Sequence, residues 1–386
     1  MSNFGIICEF NPLHKGHKRI IDEARQKGAD NVLCVMSGNA VQRGELAVFD
    51  KYVRAEAAIL CGADLVLELP FPWCSASAEF FARTGVKILS SFCDNIIFGS
   101  ECGNIELVKN AAKAAASDEF RKEYKERLET GEGAAFAYFD ALKKRGFEGL
   151  SSNDLLGVEY IRAAIELEVN LEFHTVKREG SAYNENELGD SQYPSATAIR
   201  NAWSYGNRET EKYIPEEANA IFERCFEKGD FTDMWLLSRA MLMYFRLNEP
   251  ECFSGIADTD GGIANRICAL AKESADAEAF FDALKTKRYT DAKLRRAILF
   301  CMTGVVDSLL SSSPEYVTLL GASENGRALL SSLRKDTALN IVTKPADAPK
   351  ESEQFKVTER LESIFTLALA ESKGLGEAYK KRAFIN

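Results

Sequence analysis

The chain has 386 residues, 46% hydrophobic and 27% charged, with a formal net charge of −10. That length suits two or three domains with cores of their own, the composition is that of an ordinary globular protein, and the acidic balance argues against indiscriminate nucleic-acid binding while leaving room for a local basic patch. No apolar run is long enough to cross a bilayer, the start lacks the basic flank of a signal peptide, and the ten cysteines are scattered without CxxC pairs or metal-ligand spacing, which predicts a reducing, cytoplasmic setting and no bound zinc.

Taken in chain order, Phe4-Gly-Ile-Ile-Cys-Glu-Phe10 is a short apolar run of the kind a buried parallel strand needs. It breaks at Asn11-Pro12, and a helical pattern begins near Lys15 with Ile20, Ile21 and Ala24 on one face. His14, Gly16 and His17 therefore fall where a strand hands over to a helix. Free N–H groups and a partial positive charge gather there, a natural phosphate site. The chain has three histidines in all, and two of them stand in this corner.

Asn31 to Met36 reads as a second strand, ending in the turn-rich Ser37-Gly38-Asn39. Asp50 to Gly62 reads as a helix with Asp50 as its cap, Asp64 to Leu69 as a third strand, Ser75 to Ser91 as a helix and Asn95 to Gly99 as a fourth strand. Residues 104–168 are mostly helical, and Asn170 to Val176 is a further strand. A turn-rich loop over Gly180 to Tyr193 leads to Pro194-Ser-Ala-Thr-Ala-Ile-Arg200, a capped helix start. From 209 onward the chain is chiefly helical, with a polar break at Lys344 to Pro349. Alternating strands and helices predict an α/β fold with a doubly wound parallel sheet, whose ligands sit outside the carboxyl ends of the strands.

Four constellations carry chemistry. His14 and His17 can hydrogen-bond charge that develops on phosphate oxygens. Ser195, Thr197 and Arg200 offer hydroxyl and guanidinium donors to outer phosphates. Alone they are a capped helix; with the histidine corner they make a two-sided clamp on a triphosphate. Asn39, Gln42 and Arg43 lie on a polar loop, read either as the holder of the group that attacks the α-phosphate or as ordinary turn residues. Lys285, Lys287, Arg288, Lys293, Arg295 and Arg296 form a basic island around Tyr289 with one acidic residue among them, either a solvated helix face or an RNA-backbone contact.

The motifs Gly5-Ile-Ile-Cys-Glu-Phe-Asn-Pro-Leu-His-Lys-Gly-His17, Met36-Ser-Gly-Asn-Ala-Val-Gln-Arg-Gly-Glu45 and Gly62-Ala-Asp-Leu-Val-Leu-Glu-Leu-Pro70 together resemble the bacterial tRNA(Met) cytidine acetate ligases, nucleotidyltransferases with an HxGH loop. Phe98-Gly-Ser-Glu101, Asn153 to Gly157, Lys177 to Gly180, Ser195 to Arg200, Ala264 to Arg266, Lys285 to Thr290 and Leu320 to Arg327 fit in the same order. Leu13, Lys15, Ala40 and the stretch 258–262 depart from the family pattern. The resemblance implies a Rossmann-like ATP-binding catalytic domain over 1–205, with a helical insertion at about 104–168, and a helical tRNA-carrying region over 206–386. It implies that ATP, with Mg²⁺, converts acetate to acetyl-adenylate, and that the acetyl group passes to the wobble cytidine of elongator tRNA(Met). It places ATP on Ile7, Cys8, Glu9, Phe10, Asn11, Pro12, Gly16, Lys18, Ile20, Gly99, Asn153 and Arg178. Two rival readings are a small-molecule nucleotidyltransferase of the same fold, indifferent to RNA, and a tRNA-binding protein with a vestigial nucleotide loop.

Overall fold

The computed structural model describes residues 1–130, 132–178, 188, 193–333 and 339–386. Five parallel strands, β1 (Asn3–Cys8), β2 (Asn31–Ser37), β3 (Leu65–Leu69), β4 (Asn95–Ser100) and β5 (Glu172–Lys177), lie in the spatial order β5-β4-β1-β2-β3. The expected α/β fold is the one observed. Helices α1 (Lys15–Gln26) and α2 (Lys51–Leu60) follow β1 and β2. Side chains of Phe4, Ile6, Val32, Cys34 and Met36 pack on that face, with Ile21, Ala24, Ala55 and Ala58. The alternate positions Ile7, Leu33, Val35, Leu65 and Leu67 face the opposite core, with α3 (Ala78–Leu89). Period-two alternation thus decides which helix covers which face.

Between β4 and β5 run α4 (Ile105–Ala115), α5 (Asp118–Glu129), α6 (Ala134–Lys143) and α7 (Ser152–Glu166). After β5 comes α8 (Ala196–Ser204), capped by the Ser195 side chain accepting from Ala198 N. The predicted loop over Gly180 to Tyr193 lies outside the described residues, apart from 188 and 193. Asp50 caps α2 by accepting from Tyr52 N. The helix expected over Ser75 to Ser91 is shorter: a 3₁₀ turn at Trp73–Ser75 precedes α3.

The second half begins with α9 (Glu216–Glu227), α10 (Met234–Leu247), α11 (Ile263–Glu273), α12 (Ala277–Leu284), α13 (Asp291–Thr303) and α14 (Asp307–Leu310). Phe245, Ile267, Phe280, Leu294 and Ile298 form a core of their own there. The chain then returns to the sheet. Strand β6 (Val317–Ala322) pairs antiparallel with β3 and is itself flanked by β7 (Ile341–Val342) and β8 (Phe384–Ile385). Helices α15 (Glu324–Leu333), α16 (Glu353–Ala368) and α17 (Gly376–Lys380) complete the chain. The reading of everything beyond 209 as chiefly helical passed over these strands, and the sheet draws on both sides of residue 205. Val317 to Ala322 is a short, mostly apolar run broken by Thr318, and such a run cannot be told from a buried helix turn by periodicity.

Candidate active site

The strand order reverses between β1 and β4, each of which leads onward in an opposite direction, and a cleft opens there at the carboxyl edge. This switch point is where doubly wound sheets hold their ligands. His14 and His17 both line the cleft. His14 is the N-cap of α1: its Nδ1 accepts from Gly16 N at 3.0 Å, and His17 Nδ1 accepts in return from His14 N at 3.4 Å. The imidazoles lie 3.9 Å apart, centroid to centroid. A ring nitrogen that accepts a backbone N–H carries no proton, so each neutral ring holds its hydrogen on Nε2. Two directed donors result, beside a helix N-terminus.

Burial lowers the His14 pKa well below its ordinary value, with the His17 and Arg178 charges adding to the fall. Burial and Arg178 likewise lower His17 to about 3, against the Pro12 carbonyl, which raises it. Both rings are therefore neutral at physiological pH. Because the unfolded chain protonates its histidines near 6.5, this neutral preference stabilises the fold fully above pH 6.5 and is lost as pH falls toward 3. Thermal melts from pH 7 to pH 4.5 should accordingly show a steeper fall in stability for the native chain than for His17→Gln. Parallel curves would contradict the neutral assignment.

Gly16 is required by the cap: a Cβ there would lie 2.8 Å from His14 Cε1. Gly16 and Pro12 support the histidines and do not themselves line the cleft. Lys18 does not line it either. It pairs along the helix with Asp22 at 2.8 Å.

The remaining first-strand expectations meet in the cleft: Ile7, Cys8, Glu9, Phe10 and Asn11 line its floor, with Ile20 from α1. Burial raises the Glu9 carboxyl, opposed by the Gln42 N–H, which donates to Oε1 at 2.9 Å, and by Arg200 and Arg43. Asn11 accepts from Val48 N at 2.9 Å, while its buried Nδ2 has no partner among the described residues. On one side stand Gly99, Asn153 and Arg178. Glu101 joins that side together, accepting from Asn153 Nδ2 and Ser151 Oγ and lying 3.7 Å from Arg178 Nε. On the other side stand Gln42, Arg43, Ser195, Thr197 and Arg200. Arg200 donates to the Asn11 carbonyl at 2.8 Å, tying α8 to the histidine loop.

Asn39 is not part of this wall. It is fully buried, its Oδ1 accepting from Lys51 N at 2.7 Å and its Nδ2 donating to Glu362 at 2.9 Å. The expectation that it serves substrate is corrected: it fastens the β2 loop to α2 and α16. Arg54, which sequence reading missed, holds the same edge from within. Its guanidinium donates to the carbonyls of Glu9 at 2.6 Å, Ser37 at 3.0 Å and Phe49 at 2.9 Å, and also to that of Gly38. Nothing in the local pattern Lys51 to Leu60 marks Arg54, since an arginine on a helix is ordinarily exposed. Glu101 stood inside a matched motif, and its position directly after a strand end was the available signal.

The basic island is less open than its composition suggests. Lys285 pairs with Asp282 at 2.8 Å, Lys293 with Asp260 at 2.6 Å and Arg296 with Asp258 at 2.6 Å, while Arg295 pairs with Glu45. Lys287 and Arg288 are exposed. Glu45 itself lines the cleft, so the island abuts the cleft's mouth.

A family model described as HIGH Nucleotidyl Transferase matches residues 1–378. A tRNA(Met) cytidine acetate ligase of Caldanaerobacter subterraneus subsp. tengcongensis is 34% identical, with 95% of this chain and 96% of that protein covered. Another, from Caldicellulosiruptor saccharolyticus, is 36% identical over 87% of this chain and 86% of its own. Among solved structures, Thermotoga maritima TmcAL in its apo form superposes with a TM-score of 0.91 at 30% identity, covering 100% of this chain and 99% of that one. The same protein bound with alpha-thio ATP superposes at 0.89.

Proposed function

The chain belongs to the HIGH nucleotidyl transferase family and, within it, to the tRNA(Met) cytidine acetate ligases; from that premise we propose that the switch-point cleft binds ATP and activates acetate. The acetate carboxylate attacks the α-phosphate, pyrophosphate leaves, and acetyl-adenylate remains. The exocyclic amine of the wobble cytidine in elongator tRNA(Met) then attacks the acetyl carbon, giving acetylcytidine and AMP. The observation that carries this reading is the pair of neutral, capped imidazoles on a helix N-terminus, set opposite Ser195, Thr197 and Arg200 in one cleft.

Each group has work that follows from its chemistry. Acetate approaches a polyanion, so the α-phosphate must be neutralised before two negative charges can meet. His14 and His17 donate through Nε2 to the phosphate oxygens as charge grows there in the transition state. Neutral rings do this without giving up a proton, so no acid–base cycle is needed. Ser195, Thr197 and Arg200 hold the departing pyrophosphate, with guanidinium geometry suited to two oxygens at once. Asn153 and Arg178, braced by Glu101, hold the nucleoside side. Gln42 and Arg43 face the side from which acetate arrives.

Mg²⁺ would travel with the triphosphate. Among the described residues no three His, Cys, Asp or Glu side chains gather as ligands, and Mg²⁺ ordinarily keeps water and phosphate oxygens with one or two carboxylates. Glu9 and Glu45 at the cleft fit that supporting role. Its chemistry would be to spread the phosphate charge.

RNA would reach the cleft along the α13 side, with Lys287 and Arg288 meeting the backbone. We place the protein in the cytoplasm, where its substrates are and where its ten unpaired cysteines stay reduced. The test is mass analysis of nucleosides from bulk tRNA after incubation with ATP and labelled acetate. Labelled acetylcytidine confined to tRNA(Met) is expected; an unlabelled cytidine pool overturns the reading.

A further inference from the structure

Alternation along β1 and β4 divides the switch-point cleft into two unlike halves. Cys8 packs in the core on the α1 side, and a Cβ on Gly99 would lie 3.5 Å from Ile20 and 3.6 Å from the Arg178 side chain. This half carries His14, His17 and Arg178, the groups that meet phosphate and nucleoside. One residue earlier in each strand, Ile7 and Phe98 belong to the opposite core. Together with Val41, Phe81, Leu156 and Tyr160 they give the cleft an apolar wall. A phosphate pressed against such a wall would lose water without gaining a partner. The wall is also stiff, because α3 and α7 come onto it through glycines. A Cβ on Gly85 of α3 would lie 2.7 Å from Ile7 Cδ1, and one on Gly157 of α7 would fall on the edge of the Phe98 ring. Phe98 is 5% exposed and meets Tyr160 edge-on, with ring centroids 5.8 Å apart. Val41 is held from the other side, its carbonyl accepting from the buried Ser75 hydroxyl at 2.8 Å. With helix backbone so close behind them, Ile7 and Phe98 cannot retreat unless a helix moves, and close-packed interiors resist that.

Acetate is a carboxylate with a single methyl group. Its oxygens must reach the α-phosphate on the histidine side, so its methyl must turn away from the charge. We propose that the wall of Ile7, Val41, Phe98 and Leu156 is the acyl pocket, and that its inability to yield makes Phe98 and Leu156 determinants of selectivity for a two-carbon acid. The acid then lies across the sheet edge, carboxylate toward the polar half and methyl on the apolar one. Gln42 and Arg43 follow Val41 directly and line the same cleft, within reach of the carboxylate end. A cytosine ring suits the wall less well. Its carbonyl, ring nitrogen and amine each need a hydrogen-bond partner, and the carbon side chains of Ile7, Val41, Phe81, Phe98 and Leu156 supply none. A wall that cannot give way should disfavour propionate by about tenfold or more, the scale of one additional methylene forced into a packed pocket.

This proposal rests on the acetate-activating reading, and one competition experiment separates the two claims. The native chain, Phe98→Leu, Leu156→Ala and Ile20→Val are each given ATP, an unmodified tRNA(Met) transcript and equal concentrations of acetate and propionate. Mass analysis of the nucleosides gives the ratio of acetylcytidine to propionylcytidine. That ratio does not depend on how much of a variant is folded, and Leu156, half-buried at the rim of the wall, guards against Phe98→Leu failing to fold. The native chain should favour acetylcytidine by about tenfold or more, and Phe98→Leu and Leu156→Ala should each lower the preference about tenfold. Ile20→Val, which makes room on the nucleotide half, should leave the ratio as it was. A native ratio near one, a ratio unmoved by both wall variants, or an equal shift in Ile20→Val overturns the proposal. So do wall variants that raise the KM for tRNA and leave the acid preference alone, since the wall would then hold the RNA base. Abundant acetylcytidine with an unmoved ratio sinks the acyl pocket only, whereas no acylated cytidine from either acid in the native chain sinks the activation reading as well.

Discussion

Replacing His17 with alanine is expected to lower acetate-dependent pyrophosphate release by about 10²–10³-fold, the usual loss for one preorganised donor to a developing oxyanion. The ring donates through Nε2 only because its Nδ1 is occupied by His14 N and because burial and Arg178 keep it neutral. Alanine removes the donor and half of the reciprocal cap, so the variant should also lose about 1 kcal/mol of stability, far too little to unfold a chain of this size. His17→Gln, which restores an N–H donor, should recover part of the rate. The loss should fall in the first half-reaction: synthetic acetyl-adenylate supplied to His17→Ala should still acetylate tRNA. Native turnover by His17→Ala would remove the histidines from the chemistry.

Lys51→Met is the second large effect, and it concerns the frame. Lys51 opens α2 and is buried between Glu68 of β3 at 2.8 Å and Glu362 of α16 at 3.0 Å, with side-chain exposures of 8%, 4% and 12%. Burial by itself would lower the Lys51 pKa, yet the Glu362 and Glu68 charges raise it well above its ordinary value. Burial raises Glu362, with Lys51 pulling it back. A small pocket adjoins this cluster. Methionine fills the lysine's volume but leaves two carboxylates facing each other without a cation, which should cost about 3–5 kcal/mol. The sign with pH is a further check. Carboxylates whose folded pKa is raised take up protons on folding, so the deficit of Lys51→Met should be larger at pH 8 than at pH 5. Urea unfolding at the two values measures it. A deficit below 1 kcal/mol would show that the cluster does not hold α16 to the sheet. Because Asn39 bonds both Glu362 and the Lys51 backbone, the variant should also loosen the loop that carries Gln42 and Arg43, weakening acetate use as well as stability.

Much of the site was legible because it is local. A mostly apolar run from Phe4 to Phe10, a break at Asn11-Pro12 and a helix opening with His14, Gly16 and His17 mark the strand-to-helix corner without any tertiary information. The same holds for Ser195 as a cap and for the alternation that makes the sheet doubly wound. What failed was pairing at a distance. Asn39 sits in a polar loop exactly as Gln42 and Arg43 do, and no feature of the loop says that its amide reaches 323 residues along the chain to Glu362. The basic island reads as open charge, but the acids that neutralise much of it lie before α11, on α12 and in the β2 loop.

The sequence by itself determined the parallel core, the position of the histidine corner at a strand's carboxyl end, and the family, since periodicity, caps and motifs are properties of neighbouring residues. Only the tertiary structure decided that residues 317–322 close the far side of the sheet, that Arg54 and Glu101 brace the cleft from behind, and that Glu45 joins the nucleotide wall to the basic helix. Those facts depend on which buried charges and unpaired backbone groups meet across hundreds of residues, and burial obliges each to find a partner without the sequence stating which one.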